Sequence, residues 1–594
     1  MAYLNSKKVK RLRTAITDSM DELKDAREKR VEFIRQYIGK HYSTKGTEEK
    51  VPLNLLELTV NTYTNAMVAQ TPSASVTTQF PQYEPVAYSL KIAIDHLAQE
   101  INLGDTLRKA TVDSLFSIGV IKTGINYSKS IELGGFTHDV GQPYADVVQL
   151  DDLVFDTSAY SWEQCCFIGD RVKLDIQDVK QCGLYSKSVV KKLMPLDKND
   201  RNQEATEGER SSNLSNNEEH PDGETIYGQC QLWNIWLPKE NLIVTLADQE
   251  GLDEPLAVEE WHGPETGPYD VLDYSYVPGN ILPLAPMASL IDLHDITNRL
   301  FNKTVRQAER QKTILGYTGA GSKDAERIIM ANDGESIRMD DPKSAQEFKF
   351  GGPDQINVGY VATARQYFSM FAGNLDSIAG LGPQADTAKQ EQLIKESSSQ
   401  RMAAYQSRVV EFATKIVKKL AFYLWNDPLI NLPLTKPVEG TDIKIPFNFT
   451  PEILEGDFLE YNIEIVPYSL KQQTPSQKVQ KMLEMLQYYA PYYQFMIQDG
   501  LKIDWEEINN IIADYTNLPE LTKVITTGMP DDNPAVQPVG QPNPKIQGQQ
   551  KEYMHSYQSQ GSAQGAEGVA MQNMFSAQGG GQNGMNMPMT GAAI

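Results

Sequence analysis

Residues 286–312, PMASLIDLHDITNRLFNKTVRQAERQK, are the most informative stretch of the chain, and they predict one long helix. Pro286 suits the first helical position, where its missing N–H costs no hydrogen bond. At 1.5 Å per residue the helix would be a rod of roughly 40 Å. One side of the rod is mostly apolar: Leu290, Leu293, Leu300, Phe301, Thr304, Val305 and Ala308.

The opposite side of this helix predicts a row of cations. At 100° per residue, four basic side chains fall within about 60° of one another: Arg299, Lys303, Arg306 and Arg310. The ordinary interpretation of such a row is the solvated face of an amphipathic helix. It would also suit a polyanion, or the carboxylates of a neighbouring subunit.

A second long helix is predicted at residues 358–379, with almost no charge beyond Arg365 and Asp376. We expect such a helix to be buried by packing on several sides. Residues 314–357, between the two helices, have the texture of short strands and turns. The two helices bracket this small module, so they should run antiparallel and place it at one far end.

The stretch 380–392, GLGPQADTAKQEQ, interrupts helix on both sides. Glycine and proline allow a sharp turn there. We assign the loop to residues 380–388 and expect it to turn the chain at the end opposite the small module. A very long helix is predicted from about residue 386 to 427.

The rest of the chain predicts an α+β fold. Helical patterns cover 1–40, 52–72 and 85–118, and the first has an apolar edge at Val31, Ile34 and Ile38. Residues 119–285 consist of short β-branched and aromatic segments bounded by turn residues, so this region should be mostly β.

Three further segments have distinct compositions. Residues 201–224 contain seven acidic and two basic residues, which predicts a mobile surface loop. Residues 475–525 are helical in pattern and rich in Tyr and Met. From Pro530 to the end the chain is low in complexity.

Length and charge limit the class of protein. At 594 residues the chain should form several packed parts. A net charge of −23 argues against a basic surface that wraps nucleic acid unspecifically. The first 20 residues hold no apolar stretch of a signal peptide. The longest apolar candidate, residues 277–291, is too short and too interrupted by proline to span a bilayer. We therefore expect a soluble protein that is not secreted.

The cysteines and histidines predict neither disulfides nor metal. Cys165, Cys166, Cys182 and Cys230 form no C-x-x-C pair, and we expect reduced thiols. His294 and Asp295 lie in mid-helix, where we expect a surface or inter-subunit polar contact. Three carboxylates are compatible with a cation site but are better explained as ending a strand and capping a turn: Asp151, Asp152 and Asp156.

The most enzyme-like segment is TILGYTGAGSKDAERIIM, residues 313–330. Its glycines Gly316, Gly319 and Gly321 lie between a strand pattern and a helix pattern, as in a phosphate-binding loop. Their spacing is not G-x-G-x-x-G, however, and no GK[ST] follows. A tight turn in a small α/β module is the favoured interpretation. We predict no catalytic residue, no metal and no cofactor.

The order of these elements resembles that of the bacteriophage portal protein, or head-to-tail connector, especially of short-tailed phages. VPLNLLELTVNTYTNAMVAQTPSASV (51–76) is similar to the portal's N-terminal wing region. ILPLAPMASLIDLHDITNRLFNKTVRQAERQ (281–311) resembles the approach to its first stem helix, and LGPQADTAKQEQ (381–392) its tunnel loop. Many portals read close to TATE in that loop, whereas this chain has Asp386, Thr387, Ala388 and Lys389.

The resemblance implies a portal fold with wing, stem, clip and crown. Its parts would be an N-terminal helical arm at 1–50, a wing at 51–285, stem helices at 286–313 and 358–379, a clip at 314–357, a tunnel loop at 380–388, a long wing helix with returning strands at 389–470, a helical crown at 471–529 and a low-complexity tail at 530–594. The tunnel-loop residues would be Gly380, Gly382, Pro383, Gln384, Asp386, Thr387 and Lys389.

The resemblance also implies a function. Twelve copies would form a ring at one capsid vertex, through which double-stranded DNA enters and leaves. Its partners would be the packaging motor (terminase large subunit), a head-tail adaptor, and the major capsid and scaffold proteins. The ring would assemble in the host cytoplasm and end in the virion, with no membrane contact. There are two alternatives: another virion structural protein, and a nucleotide-binding enzyme built on Gly316–Gly321.

In a portal, the basic row of the first long helix would face either the DNA channel or a neighbouring subunit. We favour the channel, because four cations in one narrow row suit a continuous polyanion better than scattered carboxylates.

Overall fold

In the computed structural model the protein combines helices and strands. This content confirms the mixed α and β composition that was predicted. It describes residues 4–39, 53–126, 131–133, 136–138, 142–195, 228–249, 251–252, 254–332, 334–339, 343, 345–379, 388–428, 430–437, 444–470, 475–492, 508 and 512. The chain divides into two compact units, Met1–Gln472 and Gln473–Ile594.

The N-terminal region forms two consecutive helices, α1 (Ser6–Glu22) and α2 (Lys24–Ile38). The Asn5 side chain caps α1 by accepting a hydrogen bond from the Lys7 N–H. The apolar face of α1 packs on a β-sheet, where Val9, Leu12 and Ile16 are buried. These helices therefore belong to the same compact unit as the β-rich region.

The next elements are α3 (Leu55–Met67), β1 (Ala74–Thr78), α4 (Glu84–Glu100) and α5 (Leu103–Phe116). The prediction of one helix at 85–118 is therefore wrong in detail. Asn102 takes a left-handed conformation with φ 52°, which ends α4 and lets α5 start in a new direction.

The region from 119 to 285 is mostly β, as its residue pattern predicted. Its strands are β2 (Gly119–Asn126), β3 (Ile131–Leu133), β4 (Phe136–His138), β5 (Gln142–Val148), β6 (Leu153–Phe155), β7 (Ile168–Asp175), β8 (Gln229–Leu237), β9 (Leu242–Ala247), β10 (Ala257–Glu260) and β11 (Tyr269–Leu272). Among the described residues between β7 and β8 are two short helices, α6 (Ile176–Gln181) and α7 (Lys187–Val190). The acidic segment 201–224 lies outside the described residues.

These strands form two antiparallel sheets, besides the small β3–β4 pair. One has the order β11-β2-β5 and the other β10-β9-β8-β7-β6. A shared apolar cluster joins the two sheets and includes Val120, Phe155, Ile168, Trp236 and Tyr269. Helix α1 packs against another part of the five-stranded sheet.

After the β-rich region come two long helices with a small strand module between them. The elements are α8 (Ala288–Glu309), β12 (Lys312–Tyr317), α9 (Ser322–Met330), β13 (Ala345–Phe350), α10 (Gln355–Phe371) and the short α11 (Leu375–Ile378). The helix predicted at 358–379 is thus broken, because Gly373 and Asn374 both have positive φ.

The C-terminal part of this unit is α12 (Ala388–Asn426), followed by β14 (Leu432–Pro437), β15 (Lys444–Phe449) and β16 (Tyr461–Ile465). At 39 residues, α12 is roughly 58 Å long. Strand β16 pairs with β1, and so the returning chain closes on the beginning of the unit.

The largest apolar core surrounds α12. It joins α3, α4 and α5 with the three-stranded sheet and with the bases of α8 and α10, through residues such as Leu90, Leu107, Phe368, Ile416 and Leu420. The second unit is described only at α13 (Pro475–Tyr489), a short turn after it, and two single residues. Most of the predicted crown and all of the predicted tail lie outside the described residues.

Candidate nucleic-acid interface

Helix α8 exposes all four residues of the basic row to solvent: Arg299, Lys303, Arg306 and Arg310. Arg299 forms an ion pair with Asp295, one turn earlier on the same helix. Within the part of the chain that the structure describes, the side chains of Lys303, Arg306 and Arg310 form no ion pair. From Arg299 to Arg310 the row extends about 16 Å along the helix.

The cations lie toward the C-terminal end of α8, where the helix dipole is negative. Their position therefore also suits the stability of the helix itself. Asp292 and Asp295 precede them on the exposed side, so that side is acidic in its first half and basic in its second. A row of this kind can hold phosphates only by screened, exchangeable contacts.

The buried side of α8 is unexpectedly polar. His294 is fully buried, and Asn298 beside it is 5% exposed. The expectation of a surface or inter-subunit contact for His294 is therefore wrong. Burial without a charged partner lowers the pKa of His294 to about 4, so the imidazole is neutral at pH 7.

Asn298 ties α8 to the segment that enters α3. Its amide Nδ2 donates to the Leu53 carbonyl at 3.1 Å, and its Oδ1 accepts from the Leu53 N–H at 3.1 Å. These partners are 245 positions apart in the chain. The sequence offers no local signal for such a contact, which is why this burial was missed.

Helix α10 packs antiparallel to α8, as the order of elements predicted. Near the end of α8, Gln307 accepts hydrogen bonds from the Asp354 N–H and the Asn357 amide, at the start of α10. Near the other end, the rings of His294 and Phe368 lie 6.5 Å apart. The two helices form a hairpin, called here the α8–α10 hairpin.

The expectation that the second helix is buried on several sides is wrong for the single chain. Only Asn357, Ala364, Phe368 and Ser369 of α10 are buried. A row of large apolar side chains is about half exposed or more: Ile356, Tyr360, Tyr367, Met370 and Phe371. Within one chain, α8 covers only one side of α10, so the low charge of α10 is not explained by burial inside the single chain.

The strand module at the far end of the hairpin consists of β12, α9 and β13. Strand β12 follows α8 after two residues and pairs antiparallel with β13, which leads into α10. Gly316 lies within β12 beside Phe348, whose ring leaves no room for a Cβ at that position. This close packing accounts for the glycine at position 316, and no bound ligand is needed to explain it.

The remaining glycines of the segment give the nucleotide-binding alternative no support. Gly319 and Gly321 form a 3₁₀ turn before α9, and neither has positive φ. The strand before the turn belongs to an antiparallel pair, whereas a dinucleotide loop opens a βαβ unit with parallel strands.

The three carboxylates proposed for turns and strand ends are all engaged within the chain. Asp151 pairs with Arg30 and Asp152 with Arg171. Asp156 follows β6 and accepts hydrogen bonds from the N–H and hydroxyl of Ser158. Among the described residues, no three His, Cys, Asp or Glu side chains are grouped as metal ligands would be.

The cysteines are unpaired. Cys165 and Cys230 are buried, and Cys166 and Cys182 are exposed. Burial raises the pKa of the Cys165 thiol to about 12. Among the described residues, no helix is both long and apolar enough to cross a bilayer.

The predicted tunnel loop lies outside the described residues from Gly380 to Thr387, so the structure places none of Gly380, Gly382, Pro383, Gln384, Asp386 and Thr387. Lys389 lies in the first turn of α12.

No protein-family model matches the chain. No curated protein matches it at a significant level either.

Proposed function

We propose that this chain is the subunit of a phage portal protein. Twelve copies form a ring at one capsid vertex, with the α8–α10 hairpin as the stem, the β12–α9–β13 module as the clip and the region around α12 as the wing. Genomic DNA passes through the ring during packaging, is retained by it, and leaves through it on ejection. The subunit itself carries out no catalysis.

One observation carries this proposal. The α8–α10 hairpin holds a strand module at one end and joins the main core at the other, where Phe368 and Leu290 are buried. The hairpin exposes a basic row on α8 and an apolar row on α10, in a protein with net charge −23. A subunit that must contact both DNA and its neighbours needs two such surfaces.

The remaining partners follow from the same proposal. The packaging motor docks on the strand module, and a head-tail adaptor replaces it after packaging. The major capsid and scaffold proteins contact the wing region. The protein assembles in the host cytoplasm and remains in the virion, and DNA is its only non-protein partner.

Negative-stain imaging and mass measurement of the purified protein test the proposal. We expect closed rings of twelve subunits with a central channel, because a head-to-tail contact that closes gives a cyclic assembly. A strictly monomeric mass at micromolar concentration would contradict it. Rings without an open channel would favour another virion structural protein.

A further inference from the structure

The apolar row on α10 lies on one broad face of the α8–α10 hairpin. At 100° per residue, Ile356, Tyr360, Tyr367, Met370 and Phe371 fall within about 100° of one another. Their centre is about 90° from the side of α10 that packs on α8, which is marked by Ala364 and Phe368. The row therefore flanks the contact with α8 and does not lie on the outer edge of the hairpin.

Helix α8 contributes to the same broad face. Because the two helices are antiparallel, helical geometry places Ile296, which is 45% exposed, on the side of the hairpin that carries the α10 row. The basic row is centred about 140° from the midpoint of the two α8 residues that contact α10, His294 and Gln307, so it points away from α10. Its Lys303 is about 20° from Ile296 around the helix, so the basic row borders the apolar face.

The opposite broad face has smaller side chains. Helical geometry places Val305 of α8 and Val358 and Ala362 of α10 there, with Val305 37% and Val358 48% exposed. One broad face thus presents large rings, and the other presents smaller apolar side chains together with Arg365, which pairs with Asp376.

We propose that the broad face formed by Ile296 and the α10 row (Ile356, Tyr360, Tyr367, Met370 and Phe371) is the docking surface for a second copy of this chain. Its occupant is the opposite broad face of the neighbouring hairpin. The two faces differ, so the contact is heterologous and repeats from copy to copy. This inference rests on the proposed ring.

The exposed area favours a protein partner. An aromatic side chain buries 150–250 Å² in full, so half-exposed rings and chains of this row offer roughly 100 Å² each. Together they supply about 500 Å² of the ~800 Å² that each partner contributes to a stable interface. The row contains no cation, so it has nothing to offer the phosphates of a nucleic acid.

The test compares two pairs of exposed tyrosines. Tyr360→Ser/Tyr367→Ser removes two rings from the proposed face. Tyr160→Ser/Tyr276→Ser makes the same change at tyrosines that are 69% and 74% exposed in the β-rich region. Each variant is diluted, and its mass distribution is followed by mass photometry. We expect the concentration at which rings dissociate to rise at least about tenfold for the first pair and to stay unchanged for the second.

A measurement on the wild-type protein is independent of variant folding. Assembled rings are treated with tetranitromethane, and the modified tyrosines are identified by mass spectrometry. Tyr360 and Tyr367 should be protected, while Tyr160 and Tyr276 react. If rings form but these residues react equally and both variants dissociate alike, the interface is assigned wrongly and the ring proposal stands. If the wild type is monomeric, the ring proposal itself fails.

Discussion

At the scale of single residues, His294 gives the clearest pH dependence. Its pKa is about 4 in the folded protein and 6.5 in a solvated histidine. The unfolded chain therefore binds a proton between these values that the folded chain excludes. Stability from this residue is present above pH 6.5 and is lost as the pH falls toward 4. Between pH 7 and pH 5 we expect a loss of about 2 kcal/mol.

Denaturant unfolding at pH 7 and pH 5 measures this loss. His294→Gln, which stays neutral, should reduce the difference between the two pH values by about 2 kcal/mol. His262 is exposed, so His262→Gln should leave the difference as in the wild type. Equal pH dependence in the wild type and in His294→Gln would mean that His294 is protonated in the folded state.

A buried ion pair fixes α12 to the three-stranded sheet. Lys419 and Asp270 are 3% and 6% exposed, and their charged atoms lie 2.7 Å apart. The Lys419 Nζ also donates to the Tyr269 carbonyl at 3.2 Å. Desolvation raises the pKa of Asp270 and lowers that of Lys419, so each charge depends on the other for compensation.

Removing one member of this pair should be costly. Lys419→Met leaves a buried carboxylate unpaired, and we expect a loss of about 3–5 kcal/mol in the free energy of unfolding. Lys419→Met combined with Asp270→Leu should recover most of that loss. Lys418→Met, at the exposed neighbouring position, should change stability by less than about 0.5 kcal/mol. A double variant as unstable as the single one would show that the pair's packing, not its charge, matters.

Residues whose exposure could be predicted from the sequence differ in one respect from those whose burial could not. Exposure of Arg306 and Arg310 follows from helical periodicity, which is a local property. The burial of Asn298 involves Leu53, that of His294 involves Phe368, and that of Lys419 involves Asp270, all across long separations in the chain. Such pairings arise from the tertiary fold and leave no pattern in a single sequence.

At the scale of elements, one glycine inside α10 and another just after its end have opposite roles. Gly359 lies in the exposed helix interior with nothing near an added Cβ. Gly373 ends the helix with φ 71°, and an added Cβ there would lie 3.2 Å from the Arg401 side chain. Gly359→Ala should stabilise the protein by about 0.5–1 kcal/mol. Gly373→Ala should destabilise it by about 1–2 kcal/mol.

Thermal or denaturant unfolding of the two variants gives the result directly, since each serves as the other's control. Destabilisation by both would indicate that Gly359 is covered in the assembled protein, which would add it to the interface. Stabilisation by both would mean that the backbone at Gly373 does not need its left-handed conformation.

The order of the elements was easier to predict from the sequence than the contacts between them. The antiparallel hairpin and the small module at its end follow from the order of helix, strands and helix along the chain. The break at Gly373 and Asn374 does not follow from the order of elements, because neither residue interrupts the apolar periodicity. The low charge of α10 was predictable, but the row of Ile356, Tyr360 and Tyr367 was not singled out from the sequence. Low charge alone does not say whether the same chain or another chain covers it.

At the scale of the whole molecule, the edges and faces of the hairpin would separate two tasks under the proposed function. The apolar broad face suits a neighbouring subunit, and the basic edge suits phosphate. In a protein of net charge −23, a DNA path lined only by average surface would repel the duplex. Lys303, Arg306 and Arg310 would reduce that repulsion without holding the DNA tightly.

The last prediction concerns this basic edge. Arg306→Gln/Arg310→Gln should leave ring formation unchanged and reduce the DNA packaged or retained in assembled particles, because two cations per subunit are lost from the path. Lys7→Gln/Arg11→Gln removes the same charge from the exposed side of α1 and should leave the DNA content unchanged. The DNA deficit relative to the wild type should shrink as ionic strength rises, since salt also screens the contribution that Arg306 and Arg310 make in the wild type. If the arginine substitutions instead dissolve the rings while surviving particles hold normal amounts of DNA, the basic row is a seam between subunits, and the broad-face contact is not sufficient for assembly.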